Sequence, residues 1–285
     1  MFPLKEPDVL PYPPSDPQPS GRQSIIFFST EGEIIVFRSC DGVLLNVDRR
    51  YLKWATDGPL AVDVPATPGE NTALEEDSET LETLFAFVHP RRHPLLDSIP
   101  FTQLFKFAEA AEKYRVFPAM SIANVRMSMA YKEHPLKVMS YACKHGYMDL
   151  LDRTAPLSIG TPVSAALGSF DYLPLFIAWV QYNDNFHQID KALFTLVAEN
   201  SHKSCSAWTK IQDAVSRAHV QTHLSPSNLD VLFAATDVIA GEYCGQHRKA
   251  TDTPKELYCN YLRKDWMARA QRRMQAIPPL SQFMK

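Results

Sequence analysis

Two short spacings hold metal-ligating side chains at helical distance: His202-Lys203-Ser204-Cys205 and, in mirrored order, Cys244-Gly245-Gln246-His247. Each places a two-residue spacer between soft or borderline ligands, the form that structural zinc sites take, and ligands three positions apart on a helix share one face. Closure by four protein ligands leaves no coordination position for water, so the chemistry implied is structural and not catalytic. His202, Cys205, Cys244 and His247 are therefore the candidate ligands of one structural zinc. With nine histidines and five cysteines in the chain, chance pairing is the competing account.

Other constellations have simpler readings. The chain has no Gly-x-Ser-x-Gly elbow, no Gly-rich phosphate loop and no His-Glu-x-x-His, so no catalytic residue is assigned. Cys143 and His145 stand two apart and would point to different faces of a helix, which makes Cys143 a small core residue and His145 a polar helix end. Glu75, Glu76, Asp77, Glu79 and Glu82 could be a carboxylate cluster. Negative charge at a helix start explains them with less, because the helix dipole favours acids there. Lys255, Arg263, Lys264, Arg269, Arg272 and Arg273 interleave with Tyr258, Tyr261 and Trp266, a pattern that could track a nucleic-acid backbone. Basic residues toward a helix C-terminus and aromatics on one core-facing stripe account for it without nucleic acid.

The elements that must position these residues follow from pattern. Residues 1–23 carry seven prolines and few large apolar side chains, which predicts an extended, disordered arm. Strands are expected over 25–28, 34–37 and 43–47, the last two joined as a hairpin through Asp41-Gly42, with a further short strand over 60–64. Ser78 is placed as the cap of a helix burying Leu81, Leu84, Phe85 and Val88, stopped by Pro90. The next helix starts near Pro100 and buries Leu104, Phe107, Ala108 and Ala111. A third sets Ile122, Val125 and Met129 on one stripe, and a fourth opens at Pro135 and ends at Gly146. Beyond residue 160 only helices are read, over 165–180, 189–200, 205–220 and 229–243. A further, final helix is expected to start at a capping box in Thr253-Pro254-Lys255-Glu256 and to run to about Ile277. Strands first and helices after give an α+β unit followed by an all-α region.

At 285 residues, 45% hydrophobic and 21% charged, the chain can fill two ordinary cores. Its net charge of −3 gives no global field that recruits nucleic acid or acidic lipid. No run of about eighteen apolar residues is present, the N-terminus has no secretion-signal pattern, and the odd cysteine count lacks a disulfide rhythm. An intracellular protein, in cytoplasm or nucleus and without membrane contact, is expected.

Three segments carry a family resemblance. Ile35-Val36-Phe37-Arg38-Ser39-Cys40-Asp41-Gly42-Val43 resembles the first hairpin of the BTB/POZ family, in particular its members from mushroom-forming fungi. Glu75-Glu76-Asp77-Ser78-Glu79-Thr80-Leu81-Glu82-Thr83-Leu84-Phe85 resembles the strand-to-helix passage, and Phe107-Ala108-Glu109-Ala110-Ala111-Glu112-Lys113-Tyr114 the helix ending in lysine-tyrosine. Past the domain, residues 135–146, with Tyr141-Ala142-Cys143 and Gly146, look like the start of that family's helical extension. The resemblance implies a BTB/POZ-like domain over 24–131, a helical domain over 132–285, and a non-enzymatic adaptor that binds proteins, a second copy among the candidates. Asp48 stands where many members have histidine, and residues 56–71 are rich in Pro, Gly and Asp where others carry an apolar helix. Both departures weigh against the family's usual dimer and against docking to a cullin-type ubiquitin-ligase scaffold. The alternative reading is a BTB-linked transcription-regulatory protein that binds nucleic acid through the basic last helix.

Overall fold

Arg22 and Gln23, read above as the end of the arm, form a short strand, β1 (Arg22–Gln23), in the computed structural model of the chain, which describes residues 21–62, 70–199, 205–221, 229–239 and 258–284. The expected strand over 25–28 is irregular instead. Ser24 bends it, its hydroxyl oxygen accepting the N–H groups of Ile26 and Phe27 at 3.1 and 3.2 Å. Such local side-chain bonding competes with a sheet ladder. Only Phe27 of the four is buried, whereas Ile25 is 88% exposed.

The hairpin forms as the Asp-Gly signal predicts. Strands β2 (Ile34–Arg38) and β3 (Val43–Asp48) pair antiparallel with Phe37 opposite Leu45 and Ile35 opposite Val47, all four buried. Gly42 supplies the turn's positive φ of 81°. A short strand, β4 (Asn71–Ala73), pairs parallel with β2 and completes the sheet order β1-β3-β2-β4.

Asp48 caps α1 (Arg49–Ala55), accepting the Arg50 N–H at 2.9 Å. Residues 60–64 were expected as a strand, but 59–62 form a helical turn, α2 (Pro59–Val62), because proline fits the first turn of a helix and has no N–H for a ladder. Helix α3 (Ser78–Ala86) is capped by Asp77, whose side chain accepts from Thr80 N–H, and not by Ser78. Leu81, Leu84 and Phe85 of its stripe are buried, as is Val88 just past its end, and as are Leu104, Phe107, Ala108 and Ala111 of α4 (Phe101–Lys113). Arg115 ends α4 with φ 53°, in the left-handed region, and Val116 N–H reaches back to the Ala111 carbonyl at 3.0 Å. In α5 (Phe117–Ala130) the buried side chains are Ala119, Ala123 and Met127, and the stripe of Ile122, Val125 and Met129 is exposed.

The chain divides into two units, Met1–Asn124 and Val125–Lys285, so the division falls inside α5, ahead of the boundary read after residue 131. The first unit holds the sheet and α1 to α4, a mixed α+β arrangement.

Among the described residues the second unit is helical throughout. Pro135 opens α6 (Pro135–Lys144), and Gly146, at φ 79°, lies just past its end. Helix α7 (Met148–Thr154) follows, then a 3-10 turn (Ala155–Ser158) and α8 (Val163–Leu167). The helix expected over 165–180 is broken after Leu167, and α9 (Leu173–Glu199) runs through the gap expected before residue 189. Its polar middle reads as a loop, but Asn183 and Asn185 bond back to the carbonyls of Trp179 and Gln181, so the helix continues. Then come α10 (Ser206–Gln221), α11 (Leu229–Ala235) with a 3-10 turn (Thr236–Ile239), α12 (Tyr258–Gln275) and a final 3-10 turn (Leu280–Phe283). The capping box at 253–256 lies outside the described residues.

Candidate interaction surface

Of the four expected zinc ligands, Cys205 is buried immediately before α10, where its carbonyl accepts the Thr209 N–H at 3.0 Å. His202, Cys244 and His247 lie outside the described residues. Among the described residues no three His, Cys, Asp or Glu side chains gather in a form that could hold a metal ion. Cys143 is buried in α6 and burial pushes its thiol pKa up, which suits an inert core cysteine; His145 is the C-cap of the same helix.

The acidic group at 75–82 does more than complement a helix dipole. Glu75 and Glu76 both accept from the Lys113 ammonium, at 2.8 and 2.9 Å, and the second oxygen of Glu76 accepts the Tyr114 hydroxyl at 2.5 Å. Asp77 caps α3 and also accepts from Lys106 at 2.7 Å. Glu82 accepts the Ser24 hydroxyl at 2.6 Å. These bonds tie α3 to α4 and to the chain beside β1. Burial and then Glu76 push the Tyr114 phenol above its ordinary range, whereas the Lys113 hydrogen bond lowers Glu75. The signal for this clasp was in the sequence: Lys106 and Lys113 are seven apart, hence on one face of α4 opposite three consecutive acids.

The basic last helix is in part committed. Arg263 donates to Asp237 and, at 3.1 Å, to the Thr236 hydroxyl; Arg269 pairs with Asp265. Trp266 is buried edge-on against Phe233, with Ala270 and Met274 buried on the same stripe. Lys255 and the side chains of Tyr258 and Tyr261 fall outside the description.

The surface that stands out is on α8 and α9. Leu173, Ile177 and Val180 fall at i, i+4 and i+7 and are 63%, 49% and 39% exposed; Val163 and Leu167, one turn apart on α8, are exposed too. Val163 and Val180 also line a cleft of about 410 Å3 whose floor includes Trp179 and Asn183. Trp179 is fixed there, its indole N–H donating to the Ser158 hydroxyl at 2.8 Å. The opposite face of α9 (Leu175, Ala178, Tyr182, Phe186) is buried, so the helix is apolar on both sides and, among the described residues, only that face is covered. In the sequence this signal is an apolar run over 173–180 too continuous for one buried stripe.

Compared with protein-family models, curated proteins and solved structures, the chain matches none. No described helix is long and apolar enough to cross a membrane.

Proposed function

We propose that this chain is a non-enzymatic protein-interaction adaptor, with a BTB/POZ-like domain in its first half and a helical second half that presents an apolar docking face. The uncovered face of α8 and α9 carries the reading, because contiguous exposed apolar side chains around a preformed cleft are the mark of a protein or ligand contact. The BTB-like reading is supported by order: hairpin, Asp77-capped helix and lysine-tyrosine helix occur where the resemblance puts them. Residues 56–71 are rich in Pro, Gly and Asp where the family carries the apolar helix that would meet a cullin-type scaffold, so that partner is not part of the proposal.

The test is affinity purification with quantitative mass spectrometry on wild type and on a Leu173→Asp, Ile177→Glu double variant. Both substitutions suit the first turns of α9, where acids complement the dipole, so the fold is expected to persist. A protein recovered with wild type and lost from the variant, at unchanged melting temperature, supports the reading. Identical recoveries would count against it.

A further inference from the structure

Beyond α12 the chain passes Pro278 and Pro279 and returns to α7 and α9 as the short turn Leu280–Phe283. Pro279 has φ −61° and ψ 155°, the extended polyproline conformation, so a stiff lead-in presents the turn. Leu280 is fully buried. The Asp152 carboxylate on α7 accepts the Ser281 N–H at 2.7 Å and the Ser281 hydroxyl at 2.6 Å. Phe283 meets the buried ring of Tyr182 edge-on, with centroids 6.1 Å apart.

An aliphatic anchor, a carboxylate that reads a backbone N–H and a hydroxyl together, and an aromatic contact are how a groove recognises a short peptide. None of these contacts needs the covalent link to α12. We propose that the α7–α9 groove is a docking site for the Leu280-Ser281-Gln282-Phe283 segment, and that it takes this segment from a second copy of the chain whenever its own is released. Tethering gives the resident segment a high effective concentration, so self-docking dominates in the free chain and exchange follows when self-docking is weakened. The groove uses the face of α9 that holds Tyr182, not the exposed Leu173 and Ile177, so this inference stands apart from the adaptor face.

Two full-length variants test it. Leu280→Ser frees the groove, and Asp152→Ala frees the segment. A labelled peptide spanning residues 278–284 should bind Leu280→Ser, and bind wild type at least about tenfold more weakly because the resident segment competes. The Asp152→Ala, Leu280→Ser double variant should lose the peptide. Mixing the two single variants should give, by sedimentation velocity, a species of summed mass that neither forms alone at the same concentration. If Leu280→Ser does not fold, Ser281→Glu sets a carboxylate against Asp152 and releases the segment without opening a core hole. Failure of a folded release variant to bind the peptide, or failure of the mixed species to form, would overturn the proposal.

Discussion

Asp41, in the hairpin turn, accepts both the backbone N–H (2.8 Å) and the hydroxyl (2.6 Å) of Ser78, the first residue of α3. One carboxylate thus joins the turn between β2 and β3 to the start of the helix that packs on the sheet. Ser78 does not cap its own helix: it is the first helical residue, with its side chain turned to Asp41, and the Asp77 carboxylate accepts the capping N–H from Thr80.

Asp41 should make stability depend on pH. The neighbouring hydroxyls of Ser39 and Ser78 hold its carboxyl at about 2, below the ordinary 3.8. A folded pKa below the unfolded one gives a stabilisation that is complete above about pH 4 and lost as pH falls toward 2. The group is exposed, so the effect is small: Asp41→Ala should cost about 1 kcal/mol or less at neutral pH. Urea unfolding of wild type and variant at about pH 7 and pH 3 should show the gap narrowing in acid. An unchanged gap would mean that the carboxylate is not the stabilising group.

Leu84 tests the core of the first unit. It is fully buried on α3, so Leu84→Ala should cost about 2–5 kcal/mol through lost burial and a cavity, and Leu84→Asp should unfold the unit by burying an unpaired charge. Thermal melts followed by circular dichroism measure both, and a wild-type melt for Leu84→Asp would contradict the packing described.

Gly58 is confined by its neighbours. A Cβ there would come within 2.4 Å of the Tyr114 carbonyl oxygen, which already accepts the Thr56 hydroxyl at 2.5 Å. Backbone cannot yield as a flexible side chain does, so Gly58→Ala should cost about 1–3 kcal/mol. Gly42→Ala, with open space around it, is the comparison: only the positive φ penalises it, by about 1 kcal/mol. A smaller loss at Gly58 than at Gly42 would show that the contact with Tyr114 is not close.

The legible parts of the fold were those with a strong local signal. Asp41-Gly42 between apolar runs gave the hairpin, and Pro135 with Gly146 framed α6, because the residue types demanded by such geometry are few. Several of the parts that failed were decided by partners distant in sequence. Residues 25–28 have the composition of a strand, but Ser24 is held by Glu82, fifty-eight positions on, and bends the chain. Strand β4 has only Asn71-Thr72-Ala73 to mark it and exists because the edge of β2 is there to pair with. The acidic run at 75–77 was legible as charge and illegible as a clasp, since its meaning rests on Lys106, Lys113 and Tyr114 one helix away.

The zinc proposal for His202, Cys205, Cys244 and His247 has a direct readout. Protein purified without added metal should carry about one zinc per chain by elemental analysis, and Cys244→Ser should lose the metal together with helical stability. Stoichiometric absence of zinc from folded protein would contradict the proposal.

The adaptor reading itself is tested most directly by titrating the partner recovered with wild type onto purified full-length chain by calorimetry. Wild type should bind saturably, the Leu173→Asp, Ile177→Glu variant should bind at least about a hundredfold more weakly at equal melting temperature, and the partner should be chemically unchanged afterwards. Equal affinities for the two proteins, or a covalently altered partner, would contradict it.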